Sequence, residues 1–516
     1  MRAQRSHAAL FGGTLLALLL SAIVHGAQPS RPNIIYVLAD DMGIGDVSAL
    51  NPACRWKTPH IDRLAHEGRV FTDAHSASGV CSPSRYTLLT GRYSWRGTLK
   101  SSVLNGYSKP LIEPDRPTVA DFLRSHGYAT AMIGKWHLGV EWARPEASPT
   151  EVDFSRPFAG GPIAHGFDQF EGISASLDMP PYVYMSNDRV TAIPMNRVPD
   201  SPKPKMWRAG VVAPDFRHED VQPRFFRKAA DFIEQRRQSS DGRPFFLYLA
   251  LASPHTPIVP TAPHRGRTRT NPYGDFVAEM DTQLGGLLET LDRSGLSTNT
   301  LVIFTADNGF SPAANLTELH ALGHDPSAGF RGHKADLFEG GHRVPFIARW
   351  PGVVPAGTRC DVTIGQLDLL ATCAELLNKR LPSNVGEDSV SFLNLLRGGH
   401  HPTRDRIGLV HHSNNGSFAF RQGRWKLLTV PDSGGWSFPH PGTAETNGLP
   451  QLQLYDLHSD PGEQTNRIAQ HPAIARRMLR DLRALIDRGR STPGPPQPFD
   501  TTTPWPQRDA LYQAGN

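Results

Sequence analysis

Three unbroken apolar runs constrain this chain more than any other feature. They are "NIIYVLADDMGIGD" at 33–46, "FFLYLALASPHTP" at 245–257 and "NTLVIFTADNG" at 299–309. A strand with one wet face alternates apolar and polar residues, whereas a run without alternation is covered on both faces, as in a parallel sheet. Each run stops abruptly in acids, glycine or a proline-flanked histidine, which marks the loop at its carboxyl end. Helical stretches lie between them, such as "TVADFLRSHG" at 118–127, with Thr118 as the cap and Gly127 at the stop. Strands alternating with helices predict an α/β fold around a large, mostly parallel sheet, with its chemistry at the carboxyl ends of the strands.

The grammar changes after about residue 385. "SFAFRQGRWKLL" at 417–428 reads as a hairpin turning near Gln422-Gly423, "LQLYDL" at 452–457 as a further strand, and 472–488 as a helix. The expected organisation is a catalytic domain over 28–385 and a smaller C-terminal unit over 386–516, an antiparallel sheet with one helix and a Pro-rich tail.

The first 27 residues read as a signal peptide: Arg2 and Arg5 precede an apolar stretch from Ala8 to Val24, and Gly26-Ala27 suits cleavage. No other segment is apolar and long enough to span a bilayer, so the expectation is an exported protein without a transmembrane span once the signal is removed. Depending on the host, the compartment is the periplasm, the exterior or a lysosome-like lumen. A net charge of +5 over 516 residues is small, and no basic block is interleaved with aromatics, which argues against nucleic acid as a partner. The Arg-rich segment 475–490 carries Met478, Leu482 and Leu485 at helical spacing, so its arginines form a solvated helix face. Four cysteines cannot build a disulfide framework. Cys373 reads as a buried thiol, Cys54 and Cys360 either pair or stay free, and Cys81 opens "CSPSRYTLLTGR", which reads as a polar turn running into a helix.

Asp40 and Asp41 end one strand, and Asp307 and Asn308 end another. Each pair alone suits a turn or cap. Together they offer three carboxylates and an amide oxygen, a donor set for a hard cation, Ca²⁺ or Mg²⁺, rather than zinc. "GKWHLG" places Lys135 and His137 two residues apart, so an extended segment would aim both the same way. His255 in "SPHTP" and Lys334 beside glycine-rich turns complete a set suited to an anion.

These motifs, in this order, resemble those of the formylglycine-dependent sulfatases, which share a fold with alkaline phosphatase. "CSPSR" matches the C-x-P-S-R signature of that family, with "TGR" at the family's spacing, and the likeness spans most of the chain. The look is closest to the arylsulfatase A and N-acetylgalactosamine-6-sulfatase group. The resemblance implies that a separate formylglycine-generating enzyme oxidises Cys81 to Cα-formylglycine (3-oxoalanine), whose hydrate attacks sulfur and then expels sulfate. It further implies metal ligation by Asp40, Asp41, Asp307 and Asn308, with Asp307 also taking a proton from the attacking hydroxyl. Arg85 and Lys135 would stabilise the hydrate and the developing charge, and His137 would assist aldehyde regeneration. His255 and Lys334 would hold the sulfate and protonate the leaving oxygen, and Ser176 would contact the sulfate. The implied activity is hydrolysis of a sulfate ester, with a phosphatase or phosphonate monoester hydrolase as the alternative. Loops 179–223 and 429–450 carry Tyr182, Tyr184, Trp207, Arg208 and His218, which suit a sulfated sugar, with aryl sulfates as surrogates. Asn315 and Asn415 begin glycosylation sequons, meaningful only in a eukaryotic secretory pathway.

Overall fold

A computed structural model describes residues 31–146, 151–202, 206–401 and 406–513. The expected signal peptide at 1–27 lies outside the described residues. Among them, no helix is long and apolar enough to cross a membrane.

The three apolar runs are the strands Asn33–Asp40, Phe245–Pro254 and Thr300–Ala306, and every residue in them is buried. They are neighbours in a ten-stranded sheet. Thr300–Ala306, Asn33–Asp40, Phe245–Pro254, Ala129–Lys135 and Gln169–Ile173 run parallel in that spatial order. Antiparallel strands extend both margins, with Phe346–Arg349 beside Thr300–Ala306 and Met185–Ser186 beside Gln169–Ile173. The helices His218–Gln238 and Pro272–Arg293 pack on each other and on Phe245–Pro254. Helix Val119–Ser125 begins at the predicted cap: Thr118 accepts from the N–H groups of Ala120 and Asp121, and Asp121 bonds back to the Thr118 N–H.

The C-terminal strands Leu409–His412, Phe418–Gln422, Trp425–Leu428 and Gln453–Asp456 form the expected antiparallel sheet. Helix Pro472–Asp487 covers it with Met478, Leu482 and Leu485, while Arg476, Arg477 and Arg480 face water. The edge of this sheet also bonds the segment that leads into Cys81, through Gly79 N to His412 O at 3.0 Å and His412 N to Ala77 O at 3.0 Å. All four cysteines are buried and free, so Cys54 and Cys360 do not pair.

A buried ion cluster ties the two sheets together. Lys426, on the small sheet, lies 3.0 Å from Glu339 and 2.9 Å from Glu463, and Glu339 precedes the strand Phe346–Arg349. Burial alone would raise the Glu339 carboxyl, but Lys426 and two histidines outweigh it and hold it well below its ordinary value. Burial pushes Glu463 up to about 7, against the pull of Lys426. One ammonium thus serves two carboxyls, and one of them keeps its proton more readily. Replacing Lys426 by Met is expected to destabilise the protein by about 3–5 kcal/mol, because it takes the basic partner from buried Glu463, while Glu339 keeps Arg343 at 2.9 Å. Equilibrium denaturation of wild type and variant at one pH checks this.

Candidate active site

Parallel register assembles the site. Ala39 pairs with Ala306, so the residues that follow each, Asp40 and Asp307, emerge side by side. Asp40 in turn pairs with Pro254, which brings His255 beside Asp41. Gly134 pairs with Ala250 and delivers Lys135. At Gly134 a Cβ would lie 1.7 Å from the Ala250 carbonyl oxygen, so only glycine allows this approach.

Asp40, Asp41, Asp307 and Asn308 are at most 1% exposed. Three cations face the three carboxylates. Arg85 Nη2 donates to Asp307 Oδ2 at 2.7 Å, Lys135 Nζ to Asp40 Oδ2 at 2.6 Å, and Lys334 Nζ to Asp41 Oδ2 at 2.7 Å. His255 Nε2 lies 3.5 Å from the same Asp41 oxygen. Burial alone would raise all three acids. Lys135, His255 and Arg85 reverse this at Asp40, and His255 and Lys334 do so at Asp41, leaving both below their ordinary values. Asp307 stays raised, through burial and the neighbouring Asp40 charge. Lys334 is held protonated, since its pairing with Asp41 outweighs burial.

Asn308 donates through Nδ2 to Asp41 Oδ1 at 2.8 Å and to Gly309 O at 2.9 Å. Its buried Oδ1 has no partner among the described residues. An orphaned amide oxygen beside three carboxylates fits a divalent cation with hard, all-oxygen preference. This is a buried candidate metal site.

"CSPSR" is not the polar turn expected. Cys81 is the first residue of the buried helix Cys81–Thr90, and the whole motif lies in its first turns. Its serines are used locally: Ser84 Oγ donates to Ser78 O at 2.9 Å, and Ser82 Oγ accepts from Leu104 N at 3.1 Å. The Cys81 thiol donates to Asp40 Oδ1 at 3.7 Å. Burial pushes it up to about 12 despite Lys135 and Lys334 nearby, so it is no thiolate at neutral pH.

Lys135 and His137 do not point together. His137 has φ +56°, which turns the chain away from extended geometry, and Nε2 donates to Leu104 O at 2.7 Å. That bond fixes the tautomer and leaves Nδ1 as an acceptor without a partner among the described residues. Burial, then Lys135 and Arg85, lower His137 well below its ordinary value, so the ring is neutral.

Cys81, His137, Ser176, His255 and Lys334 meet in one cleft of about 510 Å³. Arg85, Lys135 and the four candidate metal ligands lie behind it, bonded to one another. All the sequence-predicted site residues therefore converge. Of the five loop residues suited to sugar, only Arg208 lines the cleft; Tyr182, Tyr184, Trp207 and His218 pack on one another and on Phe216. The cleft also takes in Asp178, Asn414 and Trp436. Trp436 lies in one of the loops singled out from sequence, but nothing local marks Asp178 or Asn414.

A buried cluster of acids and bases under a cleft with Lys334 and His255 in its wall, at the carboxyl ends of a parallel sheet, suits chemistry on an anionic ester. Residues 32–379 match the family model for sulfatases. The chain is 33% identical to N-acetylgalactosamine-6-O-sulfatase of Bacteroides thetaiotaomicron over 501 residues, 90% of this chain and 95% of that protein. It is also 33% identical to arylsulfatase A of Bos taurus over 484 residues, 91% and 89% of the two chains. A chain solved in work on the metabolism of multiple glycosaminoglycans by Bacteroides thetaiotaomicron superposes with a TM-score of 0.76 at 31% identity, covering 88% of this chain and 99% of that one. The phosphonate monoester hydrolase of Agrobacterium radiobacter shares the fold, with a TM-score of 0.57 at 20% identity over 89% and 96% of the two chains. The chain belongs to the sulfatase family. It is an arylsulfatase-like hydrolase of sulfate esters.

Proposed function

We propose that this sulfatase acts on a sulfated sugar, carries formylglycine at position 81, and uses Ca²⁺ or Mg²⁺ held by Asp40, Asp41, Asp307 and Asn308. The observation that carries this reading is the position of Cys81. Its thiol lies 3.7 Å from Asp40 and lines the cleft with Lys334 and His255, yet burial pushes it up and so disfavours a thiolate nucleophile. Conversion by a maturation enzyme that meets the unfolded chain resolves that contradiction, and the exported location expected from residues 1–27 belongs to the same proposal. A sugar substrate is supported by the relatives named for sulfated N-acetylgalactosamine and glycosaminoglycans.

When formed, the hydrated aldehyde supplies one hydroxyl to attack sulfur and a second through which sulfate is later released; the cation supplies charge stabilisation. The remaining work falls to the chain's own residues. Asp307, raised by burial and by Asp40, suits proton acceptance from the attacking hydroxyl. Arg85 and Lys135 stabilise charge that develops near position 81. Lys334 and His255, both lining the cleft, hold the sulfate and protonate the leaving oxygen, with Ser176 as a further contact. Neutral His137 offers Nδ1 as the base for the second half of the cycle.

Three outcomes are expected. EDTA should abolish sulfate release, and Ca²⁺ or Mg²⁺ should restore it and raise the melting temperature; recovery with zinc alone would contradict the oxygen donor set. Protein made with a maturation enzyme should yield a Cys81 peptide that has lost its thiol and reacts with hydrazide, while protein made without it should be folded, alkylatable at Cys81 and nearly inactive. Full activity with a quantitatively alkylatable Cys81 would end the formylglycine reading. In a panel of sulfated sugars, 4-nitrophenyl sulfate and phosphate monoesters, sulfated sugars should give the highest kcat/KM and phosphate monoesters the lowest.

A further inference from the structure

One wall of the cleft holds a carboxylate that the chemistry above does not use. Asp178 is 9% exposed, and its Oδ1 is buried without a hydrogen-bond partner among the described residues. Its other oxygen, Oδ2, faces only the Arg208 guanidinium, at 3.4 Å. A carboxyl oxygen left unpaired in a buried position is costly, so its retention at a ligand cleft points to a donor that arrives with the ligand.

The surroundings hold this carboxylate in place. The Asp178 carbonyl accepts from Tyr182 Oη at 2.9 Å and from Arg208 N at 3.0 Å. The same tyrosine donates to the Arg208 carbonyl at 2.6 Å, so one buried phenol pins both backbones. The Arg208 side chain is 57% exposed and lines the cleft. Trp436, 44% exposed, contributes a flat apolar face to the lining, and its N–H donates to Asp336 Oδ1 at 2.7 Å, which fixes the loop that carries it. A carboxylate that accepts, a guanidinium that donates and a rigid aromatic face are what a sugar ring requires: hydroxyl donors and acceptors at its edge and C–H groups on its face.

We propose that Asp178 determines specificity by accepting a hydrogen bond, through Oδ1, from a hydroxyl or amide N–H of the sugar ring that carries the sulfate. Arg208 closes over the same ring edge and Trp436 supports its face. This rests on the sulfated-sugar reading above and adds a chemical criterion to it: the ring must present a neutral donor at this position. A second sulfate or a carboxylate there would meet the Asp178 charge and be rejected. An aryl ester without such a donor leaves Oδ1 unpaired and is turned over less well.

The test compares wild type with Asp178→Ala and Arg208→Gln on 6-O-sulfated N-acetylgalactosamine, its single-deoxy analogues and 4-nitrophenyl sulfate. For Asp178→Ala, the ratio of kcat/KM on the sugar sulfate to kcat/KM on the aryl sulfate should fall roughly 10- to 100-fold, the range for a hydrogen bond to a charged group. In wild type, one deoxy analogue should lose a similar factor, and Asp178→Ala should no longer distinguish that analogue from its parent. Arg208→Gln, at an exposed position that folding tolerates, should lower the same ratio by less. An unchanged ratio in both variants, or wild type indifferent to every deoxy analogue, overturns the assignment while leaving the sugar reading intact. Wild type that turns over the aryl ester and none of the sugar sulfates overturns the sugar reading, and this assignment with it.

Discussion

Three carboxylates meet in the dry interior at the ends of two neighbouring strands, and the site is organised around keeping them there. Charges taken out of water are stable only when closely paired and hydrogen-bonded. Arg85, Lys135 and Lys334 meet Asp307, Asp40 and Asp41 one to one, with contacts of 2.6–2.7 Å. Three positive side chains thus face three carboxylates, with His255 beside Asp41. A divalent cation on the same carboxylates would compete with those bases for the same oxygens, and of the two lysines only Lys334 lines the cleft. The carboxylates and the bases are therefore one device, and no residue of it can be altered without shifting its neighbours.

That device depends on a register set far from it. A parallel sheet delivers consecutive strand ends to one edge, and the pairing Ala39 with Ala306 leaves Asp40 and Asp307 no other place to go. Cys81 is delivered separately, by a helix whose approach segment is bonded to the C-terminal sheet at His412. The small sheet thus supports the segment that leads into Cys81, and Lys426 on that sheet pairs with Glu339 and Glu463 away from the cleft.

Much of this was legible from short stretches of residues. Fully apolar runs ending in Asp-Asp and Asp-Asn announced buried strands with carboxylates at their tips, because periodicity and turn chemistry are local properties. Thr118 read as a cap for the same reason, and so did the hairpin turn, where Gly423 adopts φ +55°. The spacing argument for Lys135 and His137 failed because it assumed an extended backbone, and the left-handed turn at His137 has no signature in "KWHLG". Tyr182 and Tyr184 read as ligand contacts because an aromatic in a long loop looks the same whether it faces a substrate or a neighbouring ring. The pairing of Lys426 with Glu339 spans 87 residues, and only the assembled fold brings them together.

Floor and rim of the cleft differ in how they are built, which bears on what each can specify. The floor comes from strand ends locked by sheet hydrogen bonds and buried ion pairs, so a change in any one side chain is transmitted to several charges. The rim comes from separate connections, around Asp178, Arg208, Asn414 and Trp436. A fold of this kind can keep one set of groups for an anionic ester and still distinguish the molecules that carry it, because the selecting residues lie outside the charge-balanced cluster. Asp178 marks the boundary between the two: its backbone is pinned like a floor residue, while its unpaired oxygen is left for the ligand. Rigidity there matters more than added contact area, since an acceptor that could relax toward a protein donor would no longer discriminate between ligands.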